Sequence, residues 1–325
     1  MNFELGVWNF FYTFLDAKKH YPPSFSPGKG REQQLRIIRT MATNPLIAVC
    51  QMTAKGDKTQ NLKTVCELTS QAKARSCSIA FFPEACDYLA DNKKDIVALA
   101  EPLDGETVTA YKEIATSNNI WLSIGGIHEA LQDDDKHVCN THLLINNKGE
   151  IVSKYRKIHL FDMDNRTTGV RLMESDYVVP GKKIEPPICT PVGKLALSIC
   201  YDMRFPELSL CLRNMGAEIL TYPSAFTFQT GAVHWEVLLR ARAIETQCFV
   251  VAAAQTGTHN QKRVSWGHAV IIDPWGTIIA QCADKTGIAV AEIDLALLRQ
   301  IRSNMPCEGH RRTDLYPVMK SRQGS

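Results

Sequence analysis

A single α/β domain, with sheets of mixed strand direction covered by helices, is the fold class that this sequence predicts. Three observations predict it. From about residue 46 onward, short β-rich runs alternate with stretches of helical periodicity. Some neighbouring strands are joined by tight turns and others by helices, and no repeat or low-complexity linker breaks the series. A chain of 325 residues with 45% apolar content can bury one large core, and 22% charged residues are enough to cover it.

The elements follow in order. Leu46 to Gln51 reads as a strand, and Asp57 can cap a helix in which Leu62, Val65, Leu68 and Ala72 recur at helical spacing. Ser78 to Phe82 is a compact apolar strand that ends in Pro83-Glu84. Ile120 to Gly126 is another strand, and Asn140 to Ile145 and Ile151 to Tyr155 flank the turn Asn147-Lys148-Gly149. Phe161 to Lys183 reads as a long polar loop. Leu195 to Cys200 is a strand that runs into a helix, Arg204 to Asn214, with Pro206 near its first turn. Glu218 to Tyr222 is a strand. Val233 to Thr246 is helical and carries Val237, Leu238, Ala241 and Ile244 on one side. Val250 to Ala254, Ala269 to Ile272 and Ile278 to Ala280 continue the strand series, with Asp273-Pro274-Trp275-Gly276 as a turn.

Composition excludes several classes of partner. A net charge of +3, with both signs interspersed, gives no field suited to nucleic acid or an anionic membrane, and a small molecule is the expected partner. The 11 cysteines are scattered singly without a C-x-x-C pair, so neither a disulfide framework nor a zinc site is expected. His128-Glu129 lacks the second histidine of a zinc-protease helix, and no cofactor is expected. Residues 1–44 read as an N-terminal extension, aromatic at first and mostly basic from Lys18 to Arg39, and residues 45–325 as the catalytic domain with its tail. The extension is too short in apolar residues to span a bilayer and reads as a targeting or alternative-start segment. The expected location is cytoplasmic, with the extension as a route to the mitochondrion.

Three reactive side chains fall at the carboxyl ends of predicted strands: Glu84, Lys157 and Cys200. Ligand sites of α/β sheets favour that edge. Amide hydrolysis needs a soft nucleophile, a base to ionise it, and a cation or hydrogen-bond donors for the developing oxyanion. Taken singly, Cys200 reads equally as packed core, Lys157 as part of a solvated basic run, and Glu84 as a surface carboxylate. The surrounding text joins them. Phe82-Pro83-Glu84, Tyr155-Arg156-Lys157-Ile158-His159-Leu160 and Cys200-Tyr201-Asp202-Met203-Arg204-Phe205-Pro206-Glu207 resemble, in order, the three signature motifs of the nitrilase superfamily of carbon–nitrogen hydrolases. The resemblance extends from about Leu46 to Tyr316.

That resemblance implies a four-layer α-β-β-α sandwich, a homodimer or higher homo-oligomer built by stacking helices, and a division of labour in the site. Glu84 would take the thiol proton and later deliver it to the leaving amine. Cys200 would form a thioester, and Lys157 with the backbone N–H of Tyr201 would hold the oxyanion. Glu174 matches the family's second glutamate, and Tyr201, Arg204, Phe226 and Thr230 match positions that line the substrate pocket. The segments Cys200 to Leu210, Tyr222 to Phe226 and His234 to Gln247 look most like the branch that hydrolyses deaminated glutathione to 2-oxoglutarate and cysteinylglycine. The ω-amidases acting on 2-oxoglutaramate are the neighbouring branch, and a non-catalytic interaction protein of the same fold is the alternative from another class. Two further readings stay open in the residues: His159 as the base of a papain-like Cys–His pair, and Arg204 as a structural partner of Asp202. The Cys200 thiol is expected to be activated, either by a pKa that Lys157 lowers or by Glu84 on demand.

Overall fold

Residues of the first strand divide by parity between two cores. The computed structural model describes residues 44–165 and 170–315, so all of the N-terminal extension but Asn44 lies outside the described residues, as do Arg166 to Gly169 and the chain from Tyr316. In β1 (Leu46–Met52), Ile47 and Val49 join one apolar cluster, while Ala48, Cys50 and Met52 join another. A strand buried on both faces needs a layer on each side.

Helices cover the second cluster. α1 (Lys58–Ala74) begins where the Asp57 carboxylate accepts the N–H groups of Thr59 and Gln60, and it buries Val65, Leu68 and Ala72. β2 (Cys77–Phe82) follows, sending Ala80 and Phe82 to the helices and Ile79 and Phe81 to the opposite core. After α2 (Lys93–Ala98), α3 (Glu106–Asn118) adds Val108, Tyr111 and Ile114. β3 (Trp121–Leu131), β4 (Asp134–Ile145) and β5 (Ile151–Arg156) pair antiparallel in sequence, and β3 and β4 run further than the alternation indicated. The predicted polar loop contains a two-stranded ribbon, β6 (Asp162–Asn165) with β7 (Val170–Met173), whose strands are too short to show in the sequence.

The second half builds the other sheet. β8 (Ile188–Thr190), β9 (Gly193–Ala196), α4 (Pro206–Asn214), β10 (Ile219–Thr221), α5 (Phe228–Thr246) and β11 (Phe249–Ala252) come first. β12 (Ala254–Thr258), β13 (Val264–Trp266), β14 (Val270–Ile272), β15 (Ile278–Gln281), β16 (Gly287–Glu292) and α6 (Leu295–Asn304) complete the order. One sheet reads β13-β12-β1-β2-β3-β4-β5, with β16 antiparallel along β1; the other reads β15-β14-β11-β10-β9-β8. The cluster that holds Ile47 and Phe81 also holds Leu195, Ile219 and Val250 of the second sheet and Leu208, Leu212, Trp235 and Leu239 of α4 and α5. The result is a four-layer helix–sheet–sheet–helix sandwich, with α1 and α3 outside one sheet and α4 and α5 outside the other.

Two sequence readings are corrected. The run Val250 to Ala254 is not one strand: β11 belongs to one sheet and β12 to the other, and the chain crosses between them at Ala253. On α5, the side carrying Val237 and Ile244 faces outward, at 68% and 48% exposure, whereas Trp235, Leu239 and Ala243 are buried. The helix is apolar on two sides, and periodicity alone does not say which side the core takes.

Candidate active site

Cys200 opens a short 3-10 turn, Cys200–Arg204, at the end of the extended segment after β9. Its φ of 46° lies in the left-handed region, which costs a residue with a Cβ about 1–3 kcal/mol and persists only where neighbours over-determine it. They do so here. The Cys200 N–H donates to Pro223 O at 2.9 Å, and the Asp202 carboxylate accepts the Ile199 N–H at 2.8 Å. Pro223 fits because Gly125 has no side chain: a Cβ there would lie 2.1 Å from Pro223 Cβ.

Asp202, fully buried, also ties the nucleophile turn to the lysine motif. It accepts the Tyr155 hydroxyl at 2.7 Å and bonds His159 Nδ1 at 2.7 Å, so the residues on either side of Lys157 are pinned to the residue two places after Cys200. His159 also stacks on Phe205 at 3.7 Å. It is thus a structural partner of Asp202 and not the thiol's base. Arg204 does not pair with Asp202: its guanidinium lies over the rings of Tyr201 and Phe226, at 5.8 and 5.5 Å, and Nη2 meets His234 Nδ1 at 3.3 Å.

Lys157 follows β5 on the same parity as the buried Tyr155, which turns it inward and leaves it 2% exposed. The basic run around it is therefore not one solvated face, since Arg156 is spent on Glu129, at 2.7 and 2.8 Å. The Lys157 ammonium donates to Glu84 Oε1 at 3.0 Å and to Glu174 Oε1 and Oε2 at 2.9 and 2.8 Å. Asn140, which the sequence reading missed, donates through Nδ2 to Glu84 Oε1 at 2.9 Å and to Glu174 Oε1 at 3.2 Å. Ala225 N–H donates to Glu84 Oε2 at 3.0 Å, and Gln255 Nε2 holds the Glu84 and Ala85 carbonyls at 3.0 and 3.2 Å.

Charge follows from these contacts. Burial opposes ionisation of Glu84, but Lys157 and then the hydrogen bonds from Cys200 and Lys157 outweigh it and hold the carboxyl well below the usual carboxylate range. Burial also opposes the Lys157 charge, and Glu174 followed by Glu84 reverses that and keeps the ammonium. For Cys200, burial and then the Glu84 carboxylate push the thiol up, with Lys157 offsetting only part. The resting group is therefore a neutral thiol, contrary to the expectation that Lys157 lowers its pKa; Glu84 must take the proton as the sulfur attacks.

One cavity of about 400 Å³ is lined by all of the sequence-predicted residues, Glu84, Lys157, Glu174 and Cys200 together with Tyr201, Arg204, Phe226 and Thr230. Asn140 and Arg263 line it as well. Their signals in the sequence were faint: Asn140 begins a polar triplet, Asn140-Thr141-His142, just before the apolar run Leu143-Leu144-Ile145, and Arg263 stands in a loop. Among the described residues no group of His, Cys, Asp and Glu has the arrangement of a metal site. A neutral thiol against an ionised carboxylate, with an ammonium beside both, can perform nucleophilic acyl transfer.

Residues 46–303 match the carbon-nitrogen hydrolase family. The chain belongs to that family. This carbon–nitrogen hydrolase is 51% identical to the deaminated glutathione amidase of Rattus norvegicus, over 84% of each chain. It is 50% identical to the nitrilase and fragile histidine triad fusion protein NitFhit of Drosophila melanogaster over 88% of this chain but 62% of the fusion, so it spans less than two thirds of that relative's length. The crystal structure of the Caenorhabditis elegans NitFhit protein matches with a TM-score of 0.81 and 46% identity, covering 86% of this chain and 70% of that one. The nitrilase-type sandwich implied by the motifs is the fold found.

Proposed function

We propose that this hydrolase is an amidase that cleaves the γ-linked amide of deaminated glutathione, releasing 2-oxoglutarate and cysteinylglycine. The observation that carries the chemistry is the convergence of Glu84, Lys157 and Cys200 in one cavity, although they are far apart along the chain. The substrate is supported by the similarity to deaminated glutathione amidases from several animals.

In this reading Cys200 Sγ attacks the amide carbonyl while Glu84 takes the thiol proton. Lys157 and the backbone N–H of Tyr201, which has no acceptor one turn back at the start of its short helix, stabilise the oxyanion; one such donor contributes about 10²–10³ in rate. Collapse breaks the C–N bond as Glu84 passes its proton to the leaving amine. Water then adds to the thioester, giving its proton to Glu84, and the tetrahedral adduct collapses to the free acid and the thiol. Glu174 and Asn140 act as positioning residues, and Arg204, Phe226 and Thr230 bind the acyl part. The complete Glu–Lys–Cys set argues against a non-catalytic role. Assaying purified protein with deaminated glutathione beside 2-oxoglutaramate tests the reading: higher kcat/KM on the former is expected, and equal or better turnover of the latter would assign it to the ω-amidases.

We also propose a homodimer formed through the outward apolar side of α5. Val233, Val237 and Ile244 are 66%, 68% and 48% exposed there. Light scattering should give twice the chain mass, with Val237→Asp monomeric; a monomeric wild type would refute the dimer. We further propose a cytoplasmic location, with residues 1–44 as a targeting extension that gives a route to the mitochondrion; mass spectrometry locating the mature N-terminus at Met1 would count against its removal.

A further inference from the structure

The cations around the cavity are unevenly neutralised. Lys157 meets two carboxylates, and Lys93 and Arg171 both meet Asp176. Arg263 lines the same cavity, and among the described residues no carboxylate lies within ion-pair distance of it. Arg204, on the nucleophile turn and bonded only to His234 among the described residues, and the exposed Lys262 are the other cavity cations without a carboxylate. An arginine held at a cavity wall without a carboxylate is suited to a carboxylate on the ligand, which its planar fork can grip with two parallel bonds.

Arg263 is held there by a built hairpin. His259, 4% exposed, bonds Ala54 O through Nδ1 at 2.8 Å and Ser265 Oγ through Nε2 at 2.8 Å, fixing the β12–β13 connection to the segment after β1. Asn260 Oδ1 accepts the N–H groups of Lys262 and Arg263 at 3.0 and 2.9 Å, and His259 N–H donates to Arg263 O at 2.9 Å. The chain neighbours of Arg263, Lys262 and Val264, are exposed, so this hairpin forms the solvent side of the cavity, whereas Arg204 sits four residues from the nucleophile.

We infer that Arg263 is a specificity residue that binds a carboxylate on the leaving amine, while Arg204 faces the carboxylate of the acyl part. The inference rests on the substrate reading above. Deaminated glutathione carries one carboxylate at its keto-acid end and one at its glycine end, with the scissile amide between them. The acyl half stays bonded to Cys200 after the first step and must lie deep, while the released dipeptide leaves by the solvent side, past Arg263.

Three substrates separate the possibilities: deaminated glutathione, its C-terminal carboxamide, and 2-oxoglutaramate, whose leaving group is ammonia. Wild-type enzyme should prefer deaminated glutathione to the carboxamide by about 10- to 100-fold in kcat/KM, the span of one lost hydrogen-bonded charge pair. Arg263→Gln should erase that preference, chiefly by raising KM, and leave 2-oxoglutaramate turnover within about threefold of wild type, with Arg263→Lys restoring part of the preference. Equal losses on all three substrates, or a preference that survives in Arg263→Gln, would overturn the inference while leaving the amidase reading standing. A wild type that turns over 2-oxoglutaramate but not deaminated glutathione would overturn the substrate reading and, with it, the anchor.

Discussion

Glu174→Gln tests how the buried charges are shared. The wild-type carboxylate accepts four hydrogen bonds from three groups: Oε1 accepts from Lys157 and Asn140, and Oε2 from Lys157 and the Phe161 N–H, the last at 2.7 Å. Glutamine keeps the shape but replaces one oxygen by an NH₂ group, and either orientation sets a donor against two donors. Two charge-assisted hydrogen bonds are therefore lost, at about 1.5–3 kcal/mol each, which agrees with the about 3–5 kcal/mol seen when one member of a buried ion pair is removed. Lys157 is then left with Glu84 as its single carboxylate partner in the cluster. Equilibrium denaturation in guanidinium should show a loss of about 3–5 kcal/mol at unchanged m. The rate kcat should fall by about 10²-fold or more as the ammonium shifts onto the base. A loss under about 1 kcal/mol with wild-type kcat would show that Glu174 is an ordinary loop carboxylate.

Three further predictions concern the same groups. The Glu84 carboxyl is held low, so activity that needs it ionised should hold through the usual carboxylate range and fall only below it, and the stability it contributes is present above the ordinary value of an unperturbed glutamate and lost as pH falls through the lowered folded value; a kcat/KM profile with an acid limb near neutrality would contradict this. Because the Cys200 thiol is pushed up, iodoacetamide without substrate should label the exposed Cys66 and Cys189 no later than Cys200, read by peptide mapping; fast selective alkylation of Cys200 would mean a resting thiolate. Gly125→Ala would place a Cβ 2.5 Å from Phe82 O as well as against Pro223, so melting should fall by an amount equivalent to about 2 kcal/mol or more and kcat should drop with the displaced Pro223 carbonyl; wild-type melting and kcat would refute the close approach.

Much of this was legible because the chemistry stands where strands end. Glu84 and Cys200 each follow an apolar run, Lys157 follows the mixed strand Ile151–Arg156 on the parity of Tyr155, and Asp57 announces the helix that it caps. Legibility failed where a signal has two physical sources. Val237 and Ile244 are apolar because α5 presents two apolar sides, and nothing in a 3.6-residue period says which one meets the sheet. The β6–β7 ribbon shows no apolar face in the sequence because Asp162, Asp164, Arg171 and Leu172 are all exposed. Asn140 was hidden because its partners, Glu84 and Glu174, are reached only through the fold. The crossing at Ala253 was hidden because β11 and β12 are both buried, leaving no polar residue between them.

The central claim is that Cys200 becomes acylated with Glu84 as proton acceptor and Lys157 as partner of the oxyanion. Rapid acid quench of the enzyme with deaminated glutathione, followed by peptide mass spectrometry, tests it most directly. The account predicts a 2-oxoglutaryl mass on the peptide containing Cys200, absent from Cys200→Ala, which should be inactive and as stable as wild type. An acyl mass on another residue, or full turnover by Cys200→Ala, would contradict it.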